Sequence, residues 1–364
     1  MITAVTVGLF LCEIGARMIL DPIDYLSPSL VNDNILGRKL PPKSSGHDAW
    51  GFRNRSINES PAIVTLGDSH TYGNTAKMTE SWPSVLARLT GKPVYNLALG
   101  GYGPNQYYYL FKTKALSLKP RFIICGLYMG DDFDNAYNIT YGLDYWQYLR
   151  SPNIQKADGW DIWEKRSELH WNKKLRNWLS KNSMVYRVTV HGLFDKLKGA
   201  MQVQYASDLY EDTAILIVNN KNIHEAFRPK FLVRGLSQDD QNVREGMRIT
   251  FALLKEINET CRNRNITFIV GVIPTKESVY SDYIEHNKQL KMSKEIDQVI
   301  LNEKKAREKL FMFFKDGKIQ YVDMLPLMKR AKEKEKIYAS SGVDMHPNKN
   351  GYRVIAEAIE GHLR

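Results

Sequence analysis

The chain has 364 residues, a hydrophobic content of 43% and a net charge of +11. This length and composition are typical of a globular protein with one large domain or two, and they exclude a disordered or low-complexity chain. Three cysteines, Cys12, Cys125 and Cys261, are too few and too scattered for a disulfide framework or a zinc site. The basic residues are also scattered and no nucleic-acid-binding signature is present. We therefore expect no nucleic-acid partner, while an anionic polysaccharide stays a candidate partner.

Residues 1–22 begin with an apolar or small stretch over residues 2–12, which Glu13 and Arg17 interrupt. A membrane-spanning helix needs about 20 apolar residues, and a signal peptide needs a basic start and a small-residue cleavage site, which this segment lacks. We interpret residues 1–22 as a membrane anchor helix, and the alternative is a soluble amphipathic helix. Residues 23–60 are rich in Pro, Ser, Asn and Gly, which is typical of a linker or lead-in.

From residue 61 onward, short aliphatic runs alternate with amphipathic segments. The predicted strands are Ile63–Leu66, Val94–Leu97, Phe122–Tyr128, Thr267–Ile273 and Ile319–Val322. The predicted helices are Ser81–Leu89, Gln106–Leu116, Asp240–Arg264, Met292–Lys315 and Lys349–His362. This β-α-β rhythm predicts that residues 61–364 form an α/β domain, a three-layer α/β/α sandwich around a parallel, flavodoxin-like sheet.

The rhythm fails between residues 135 and 235, which we interpret as a large aromatic-rich insertion rather than a second domain. Most of the seven tryptophans lie in it: Trp146, Trp160, Trp163, Trp171 and Trp178. Aromatic insertions above a sheet edge can form ligand surfaces, but they can also only bury themselves. The sequence leaves both interpretations open.

The stretch PAIVTLGDSHTYGN places a serine directly after a predicted strand. Ile63–Leu66 has the composition of a buried parallel strand, and Gly67 permits a tight turn at its end. Ser69 would then lie at the carboxyl edge of the sheet, where open α/β folds keep their sites. The alternative is an ordinary helix N-cap, so the motif needs partners elsewhere in the chain.

A histidine and an acid lie together near the C-terminal end, in DMHPNKNG. A serine hydroxyl attacks a carbonyl only if a base takes its proton, and His346 suits that role. Asp344, two residues earlier, can fix the tautomer of the imidazole. The alternative is a turn in which Asp344 caps the following helix and His346 is solvated.

Two further polar loops follow predicted strands. NLALGG ends in glycines, whose exposed backbone N–H groups can face an oxyanion. In GDDFDN, a glycine is followed by three carboxylates: Asp131, Asp132 and Asp134. Three successive strands thus end in polar turns at one sheet edge, and a fourth turn supplies the histidine. This order predicts one shared active site.

Together the four blocks resemble the SGNH (GDSL-like) hydrolase superfamily. GDSHTYG is similar to its nucleophile block, NLALGG to its glycine block, GDDFDN to its third block and DMHPNKNG to its histidine block. Two more stretches, DAWGFRN and IPTKESVY, resemble membrane-anchored bacterial members linked to cell-envelope polysaccharide acylation. The resemblance covers nearly the whole globular part of the chain.

The resemblance implies a role for each matching residue. It makes Ser69 the nucleophile and its backbone N–H one oxyanion donor. It makes His346 the base and Asp344 the residue that orients it, with a spacing that resembles the alginate acetyltransferase branch. Gly101, five residues after Asn96, matches the oxyanion glycine. No cofactor and no metal ion are implied.

The third block departs from the family at Asp131. The family has Gly-Asn-Asp there, and the asparagine amide donates to the oxyanion, whereas an ionised carboxylate only accepts hydrogen bonds. Losing one oxyanion donor costs about 2.7–4 kcal/mol, and protonating an ordinary aspartate at pH 7 costs roughly 4 kcal/mol. Burial and the neighbouring Asp132 and Asp134 would reduce the second cost. A neutral Asp131 could then donate its O–H, and the alternative is a weaker enzyme that relies on Ser69 and Gly101.

We therefore predict a membrane-anchored, extracytoplasmic serine esterase or O-acyltransferase of the cell envelope. It would act on acyl esters of a carbohydrate, with acetyl preferred, or on another small acyl ester, through an acyl-serine intermediate. The alternative is a non-catalytic carbohydrate-binding or assembly protein on the same fold, which the change at Asp131 favours. A polyanion-binding surface protein is a third class, and only the net charge supports it.

Overall fold

The fold comes from a computed structural model that describes residues 2–154, 171–190, 216–219, 224–227, 229–286, 293–339 and 344–363. Within these residues the helices are α1 Ile2–Ile19, α2 Pro22–Tyr25, α3 Ser69–Tyr72, α4 Trp82–Thr90, α5 Pro104–Thr113, α6 Asp132–Gly142, α7 Trp171–Asn182, α8 Met184–Thr189, α9 Pro229–Leu236, α10 Gln241–Asn263, α11 Lys276–Val279, α12 Ser281–His286, α13 Lys294–Asp316, α14 Leu325–Lys332 and α15 Lys349–Glu360. The strands are β1 Val31–Asp33, β2 Gly37–Lys39, β3 Ile63–Gly67, β4 Val94–Asn96, β5 Phe122–Tyr128, β6 Leu216–Asn219, β7 His224–Phe227, β8 Thr267–Ile273 and β9 Gln320–Asp323. Single 3-10 turns lie at Ser44–Gly46, Met78–Glu80, Ala115–Leu118 and Asp144–Leu149.

Five parallel strands form the central sheet, in the order β4-β3-β5-β8-β9. Renumbered along the chain, this is the order 2-1-3-4-5 of flavodoxin-like folds. β5 pairs with β3 on one side, where Ile123 lies opposite Val64, and with β8 on the other, where it lies opposite Phe268. The predicted α/β/α sandwich is confirmed, and the five predicted strands match the observed ones to within one residue at each end.

Alternate residues of the strands enter two hydrophobic clusters, one on each face of the sheet. Val64 shares a cluster with Leu254 of α10, whereas its neighbour Ile63 shares the other with Ile355 of α15. This period of two is the geometry of a strand. Because helices cover both faces, the carboxyl edge of the sheet is where its loops can gather polar side chains.

Residues 23–60, predicted as a linker or lead-in, pack against the sheet domain. The antiparallel hairpin β1–β2 is fixed by two side chains of that domain. The indole N–H of Trp146 donates to the carbonyl of Ile35 (2.8 Å), and the amide of Gln106 donates to the carbonyl of Leu36 (3.1 Å). Apolar residues of the segment are buried in the same cluster as Val64: Leu36, Leu40 and Phe52. The lead-in can therefore place side chains at the edge of the sheet.

Helix α1 lies outside the two sheet clusters. The carboxylate of Glu13 accepts the backbone N–H groups of Met184 and Val185 at the start of α8, and Arg17 donates to the carbonyl of Asn182. Its exposed apolar side chains are Val7, Leu9, Phe10, Leu11, Ile14, Met18 and Ile19. Across the described residues, no helix combines the length and the apolar character needed to cross a bilayer.

The predicted insertion, residues 135–235, divides into described and undescribed parts. Trp146 is fully buried and holds the β1–β2 hairpin, so this tryptophan serves packing. Trp178 of α7 is 59% exposed. Trp160, Trp163 and the side chain of Trp171 lie outside the described part of the chain. The proposed ligand role of the tryptophans therefore stays a prediction, and it does not apply to Trp146.

Candidate active site

Ser69, His346 and Asp344 form one continuous chain of hydrogen bonds. Nε2 of His346 lies 2.7 Å from Oγ of Ser69, and Nδ1 lies 2.5 Å from Oδ1 of Asp344. A carboxylate cannot donate, so the ring proton is assigned to Nδ1, and Nε2 then accepts the serine hydroxyl. The structure thus brings together the three residues that the sequence predicted as nucleophile, base and orienter.

The turn after β3 presents Ser69 at the carboxyl edge of the sheet. The carboxylate of Asp68 accepts the N–H of His70 (2.9 Å) and caps α3. A side chain at Gly67 would overlap Thr71, so the close packing of this turn requires a glycine. Ser69 is the first residue of α3, and its N–H therefore has no acceptor within the helix. The hydroxyl and the backbone N–H of Ser69 therefore both lie at the carboxyl edge of the sheet.

The turn before α15 fixes the base. Oδ1 of Asp344 accepts the backbone N–H of His346 (2.9 Å) as well as its ring N–H. Burial alone would raise the pKa of Asp344, but the hydrogen bonds and charge of His346 hold that pKa below its ordinary value. Nζ of Lys276 lies 3.5 Å from the carbonyl of Asp344. Asp344 therefore stays ionised and oriented toward the imidazole.

A second His–Asp pair lies beside the triad. Nδ1 of His70 is 3.0 Å from Oδ2 of Asp68, and its ring stacks on Tyr128 at 3.8 Å. The ring centroids of His70 and His346 are 4.7 Å apart. Burial lowers the pKa of His70 although Asp68 opposes this, so the neutral ring is favoured next to the base. Oγ of Ser69 is 3.4 Å from Asp68, a longer contact than the one to His346.

The loop after β4 brings Gly100 against the nucleophile, with Gly101 next in the chain. A Cβ on Gly100 would lie 3.6 Å from Cβ of Ser69. Asn96 shapes the loop, because its Oδ1 accepts the N–H of Ala98 (3.0 Å). Gly101 has φ +75°, a conformation that favours glycine. Among the described residues, no protein group accepts the N–H of Gly101, which leaves this N–H available to an anion.

Asp131, after β5, is half-buried, and its Oδ1 is out of solvent with no hydrogen-bond partner among the described residues. The carboxylates of Asp68, Asp131 and Asp132 lie within 4.8 Å of one another, a spacing that could also hold a cation. Burial, Asp68 and Asp134 raise the pKa of Asp131 well above its ordinary value, although Arg38 opposes this rise. At a given pH, the neutral form of Asp131 is therefore more populated than that of an ordinary aspartate.

Its neighbour Asp132 is used differently. One of its oxygens accepts the hydroxyl of Tyr107 (2.9 Å), and the other accepts the backbone N–H of Tyr128 (2.9 Å). The side chain is fully buried. Asp132 thus holds the start of α6 against β5. Of the two carboxyl groups, only that of Asp131 has an oxygen without a hydrogen-bond partner among the described residues.

Three basic residues support the site, and the sequence analysis predicted none of them. Arg38 of β2 donates from Nη2 to the carbonyl of Gly100 (2.8 Å), and Arg53 donates from Nη1 to the carbonyl of Gly73 (2.7 Å). Lys276 supports the histidine turn. Arg53 and Lys276 lie in DAWGFRN and IPTKESVY, which the resemblance had marked without a role. Arg38 carries no local signal, because its function depends on where the hairpin docks.

No protein-family model and no curated protein matches the chain. Among solved structures, it is similar to a lipolytic protein of the G-D-S-L family from Desulfitobacterium hafniense, at 14% identity over 83% of this chain and 98% of that chain, with a TM-score of 0.41. It is also similar to an acetylxylan esterase from Geobacillus stearothermophilus, at 11% identity over 83% and 94%, with a TM-score of 0.39. A third similar structure is an α/β hydrolase enzyme from the metagenome of Lake Arreo, Spain, at 12% identity over 84% and 96%, with a TM-score of 0.37. At these values the similarities decide nothing about chemistry.

The chain's own topology places the four sequence blocks. Three of them follow β3, β4 and β5 at the carboxyl edge of a sheet with the order 2-1-3-4-5, and the fourth precedes α15. They meet at Ser69, which contacts His346 and lies against the glycine loop. The chain therefore has the three-layer α/β/α fold that its resemblance to the SGNH hydrolases predicted.

Proposed function

We propose that the protein is a serine esterase or O-acyltransferase that works through an acyl-serine intermediate. The observation that carries the proposal is the contact of 2.7 Å between Oγ of Ser69 and Nε2 of His346, with Asp344 on the other ring nitrogen. A solvated turn would not require this alignment. The geometry therefore favours an enzyme over the non-catalytic carbohydrate-binding or assembly protein that the sequence had left open.

The proton transfers of the mechanism follow from the contacts of His346 with Ser69 and Asp344. Oγ of Ser69 attacks the ester carbonyl carbon while its proton passes to Nε2 of His346. Asp344 keeps the proton of Nδ1 in place and stabilises the imidazolium that forms. Collapse of the tetrahedral intermediate breaks the ester C–O bond, and the imidazolium gives its proton to the leaving alcohol. Water or a second hydroxyl then attacks the acyl-serine by the same steps in reverse.

Three hydrogen-bond donors would stabilise the oxyanion of the tetrahedral intermediate. The N–H groups of Ser69 and Gly101 would be two of them, since neither has a protein acceptor among the described residues. The O–H of a neutral Asp131 would be the third donor. Its raised pKa supports this role, because the neutral acid then persists to a higher pH than it would for an ordinary aspartate.

The substrate is proposed as a carbohydrate ester with a small acyl group, and acetyl is preferred. The motif resemblance to members linked to cell-envelope polysaccharide acylation supports this class. Water and a sugar hydroxyl compete as acceptors for the same acyl-serine. Mixing the protein with an acetylated oligosaccharide, with and without an unacetylated one, tests both reactions through release of acetate and appearance of a new acetylated sugar.

We also propose that α1 holds the protein at a membrane surface, outside the cytoplasm. The exposed apolar side chains of α1 support contact with a membrane surface, since they include Leu9, Phe10 and Leu11. Flotation of the full chain with lipid vesicles tests it. Loss of flotation is expected in a variant with Leu9, Phe10 and Leu11 changed to Ser, while esterase activity is retained. Equal flotation of both proteins would contradict the proposal.

A further inference from the structure

We propose that Arg38 is a positioning residue of the oxyanion hole, which holds the Gly100–Gly101 peptide with the N–H of Gly101 turned toward the acyl site. The inference rests on the proposed function in one respect, that this N–H binds the oxyanion. It concerns a residue of the lead-in, well before the first sequence block of the catalytic domain.

The contact between Arg38 and the glycine loop is direct. Nη2 of Arg38 donates to the carbonyl of Gly100 at 2.8 Å. The guanidinium also lies over Gly101, where any Cβ would overlap Nη2. The carbonyl of Gly100 and the N–H of Gly101 belong to one planar trans peptide, so they point in opposite directions. Fixing the carbonyl on Arg38 therefore fixes the N–H on the side away from Arg38.

This peptide needs an external support. It joins two glycines, and Gly101 is at φ +75°. Glycine adopts positive and negative φ about equally well, so little in the local chain prevents rotation of the peptide. In a rotated peptide the carbonyl oxygen would face the acyl site and repel an oxyanion. A charged donor on the carbonyl opposes that rotation, because hydrogen bonds to ionised groups are the stronger ones.

The hairpin that carries Arg38 is held rigidly enough for this task. Trp146 and Gln106 hold the carbonyls of Ile35 and Leu36 at its turn. The hydroxyl of Tyr102, next to Gly101 in the chain, donates to the carbonyl of Arg38 itself (3.0 Å). The hairpin and the glycine loop thus hold each other, by one bond in each direction.

The test uses steady-state kinetics on an acetyl ester with Arg38→Met, which keeps the apolar stem and removes the guanidinium. We expect kcat to fall about 10- to 100-fold with KM within about twofold, because the oxyanion exists only after the attack. Lys39→Met is the matched control, because Lys39 is next in the strand and pairs with Asp33 (2.8 Å) on the exposed side. The control should change neither constant by more than about twofold.

Added guanidinium ion should restore part of the activity of Arg38→Ala and leave the activity of Lys39→Ala unchanged. Unchanged kcat in Arg38→Met, or a rise in KM alone, would overturn the proposal. A crystal structure of Arg38→Met gives a second readout that needs no activity. We expect the Gly100–Gly101 peptide to be rotated or present in two orientations. The wild-type orientation, fully retained, would overturn the role of Arg38, whereas an inactive wild type with a correctly held peptide would overturn the proposed function alone.

Discussion

His346 and Asp344, on the base side of Ser69, are two residues apart in one turn and hydrogen-bond to each other directly. The groups on the oxyanion side come from segments far apart in the chain: Arg38, Gly101 and Asp131. The base side is therefore specified by local spacing, whereas the oxyanion side is specified by how separate loops dock. Changes on the base side should remove chemistry outright, and changes on the oxyanion side should be graded.

The largest effect is expected at the nucleophile and the base. Ser69→Ala and His346→Ala should each lower kcat about 10⁴- to 10⁶-fold, because either change ends nucleophilic attack. Ser117→Ala is a matched control, since its hydroxyl bonds only to a nearby carbonyl on the surface. Hydrolysis of an acetyl ester measures all three. Activity of Ser69→Ala close to that of the control would contradict the assignment of the nucleophile.

The two His–Asp pairs should respond very differently. Asp344→Asn should lower kcat about 10⁴-fold, because an amide no longer stabilises the imidazolium or fixes its tautomer. Asp68→Asn keeps an oxygen for the N-cap of α3, so we expect at most about a tenfold loss. Measured side by side, equal losses in the two variants would show that the base depends on Asp68 as much as on Asp344.

A side chain at Gly101 should have an intermediate effect. Gly101→Ala would meet Arg38 and would also strain a backbone at φ +75°. Both changes displace one oxyanion donor, so kcat should fall about 10²- to 10³-fold. Gly91→Ala is the control, because Gly91, the C-cap of α4, also has positive φ but has open space around it. A fall in kcat of the same size in both variants would point to backbone strain and away from the oxyanion hole.

The smallest change in activity at neutral pH is expected from Asp131→Asn, which should instead change how activity depends on pH. An amide donates without any protonation step, so activity near neutral pH should be kept or raised. In the wild type, Asp131 must be protonated, because only the neutral carboxyl group can donate a hydrogen bond to the oxyanion. Because the pKa of Asp131 is raised, activity should persist to a higher pH than an ordinary aspartate allows, and it should fall as the pH rises through that pKa. The acid limb of the profile should be the same in both proteins, because the substitution leaves the Ser69–His346–Asp344 contacts in place.

The pH profile of kcat/KM measures this difference. The carboxyl groups that face Asp131 are those of Asp68, Asp132 and Asp134, and Arg38 faces it as the cation. We expect a bell-shaped profile in the wild type and loss of its alkaline limb in Asp131→Asn. An alkaline limb that persists in active Asp131→Asn would mean that backbone groups alone form the oxyanion hole.

Much of this arrangement could be predicted from the sequence. The sheet strands are short, mostly apolar runs that alternate with amphipathic segments, and the loops at their carboxyl ends carry Ser69 and Gly101 at one edge. The Asp344–His346 pair could be predicted from the four blocks taken together and from their resemblance to the SGNH hydrolases, whereas the spacing of the two residues alone also allowed a simple capping turn. Arg38 could not be predicted, because a Pro- and Gly-rich segment looks like a linker until Trp146 and Gln106 hold its hairpin. The burial of Trp146 could not be predicted either, because composition does not show whether an aromatic side chain faces the core or the solvent.

The central claim is that Ser69 carries the acyl group. Mass spectrometry of the folded full chain after brief mixing with an activated acetyl ester, followed by acid quenching, tests it most directly. The account predicts an acetyl group on the peptide that contains Ser69 and no acetyl group on that peptide in Ser69→Ala. More acetyl-enzyme should accumulate at low temperature, where hydrolysis of the acyl-serine is slower. Rapid ester turnover with no adduct on Ser69, or no reaction in correctly folded protein, would contradict it.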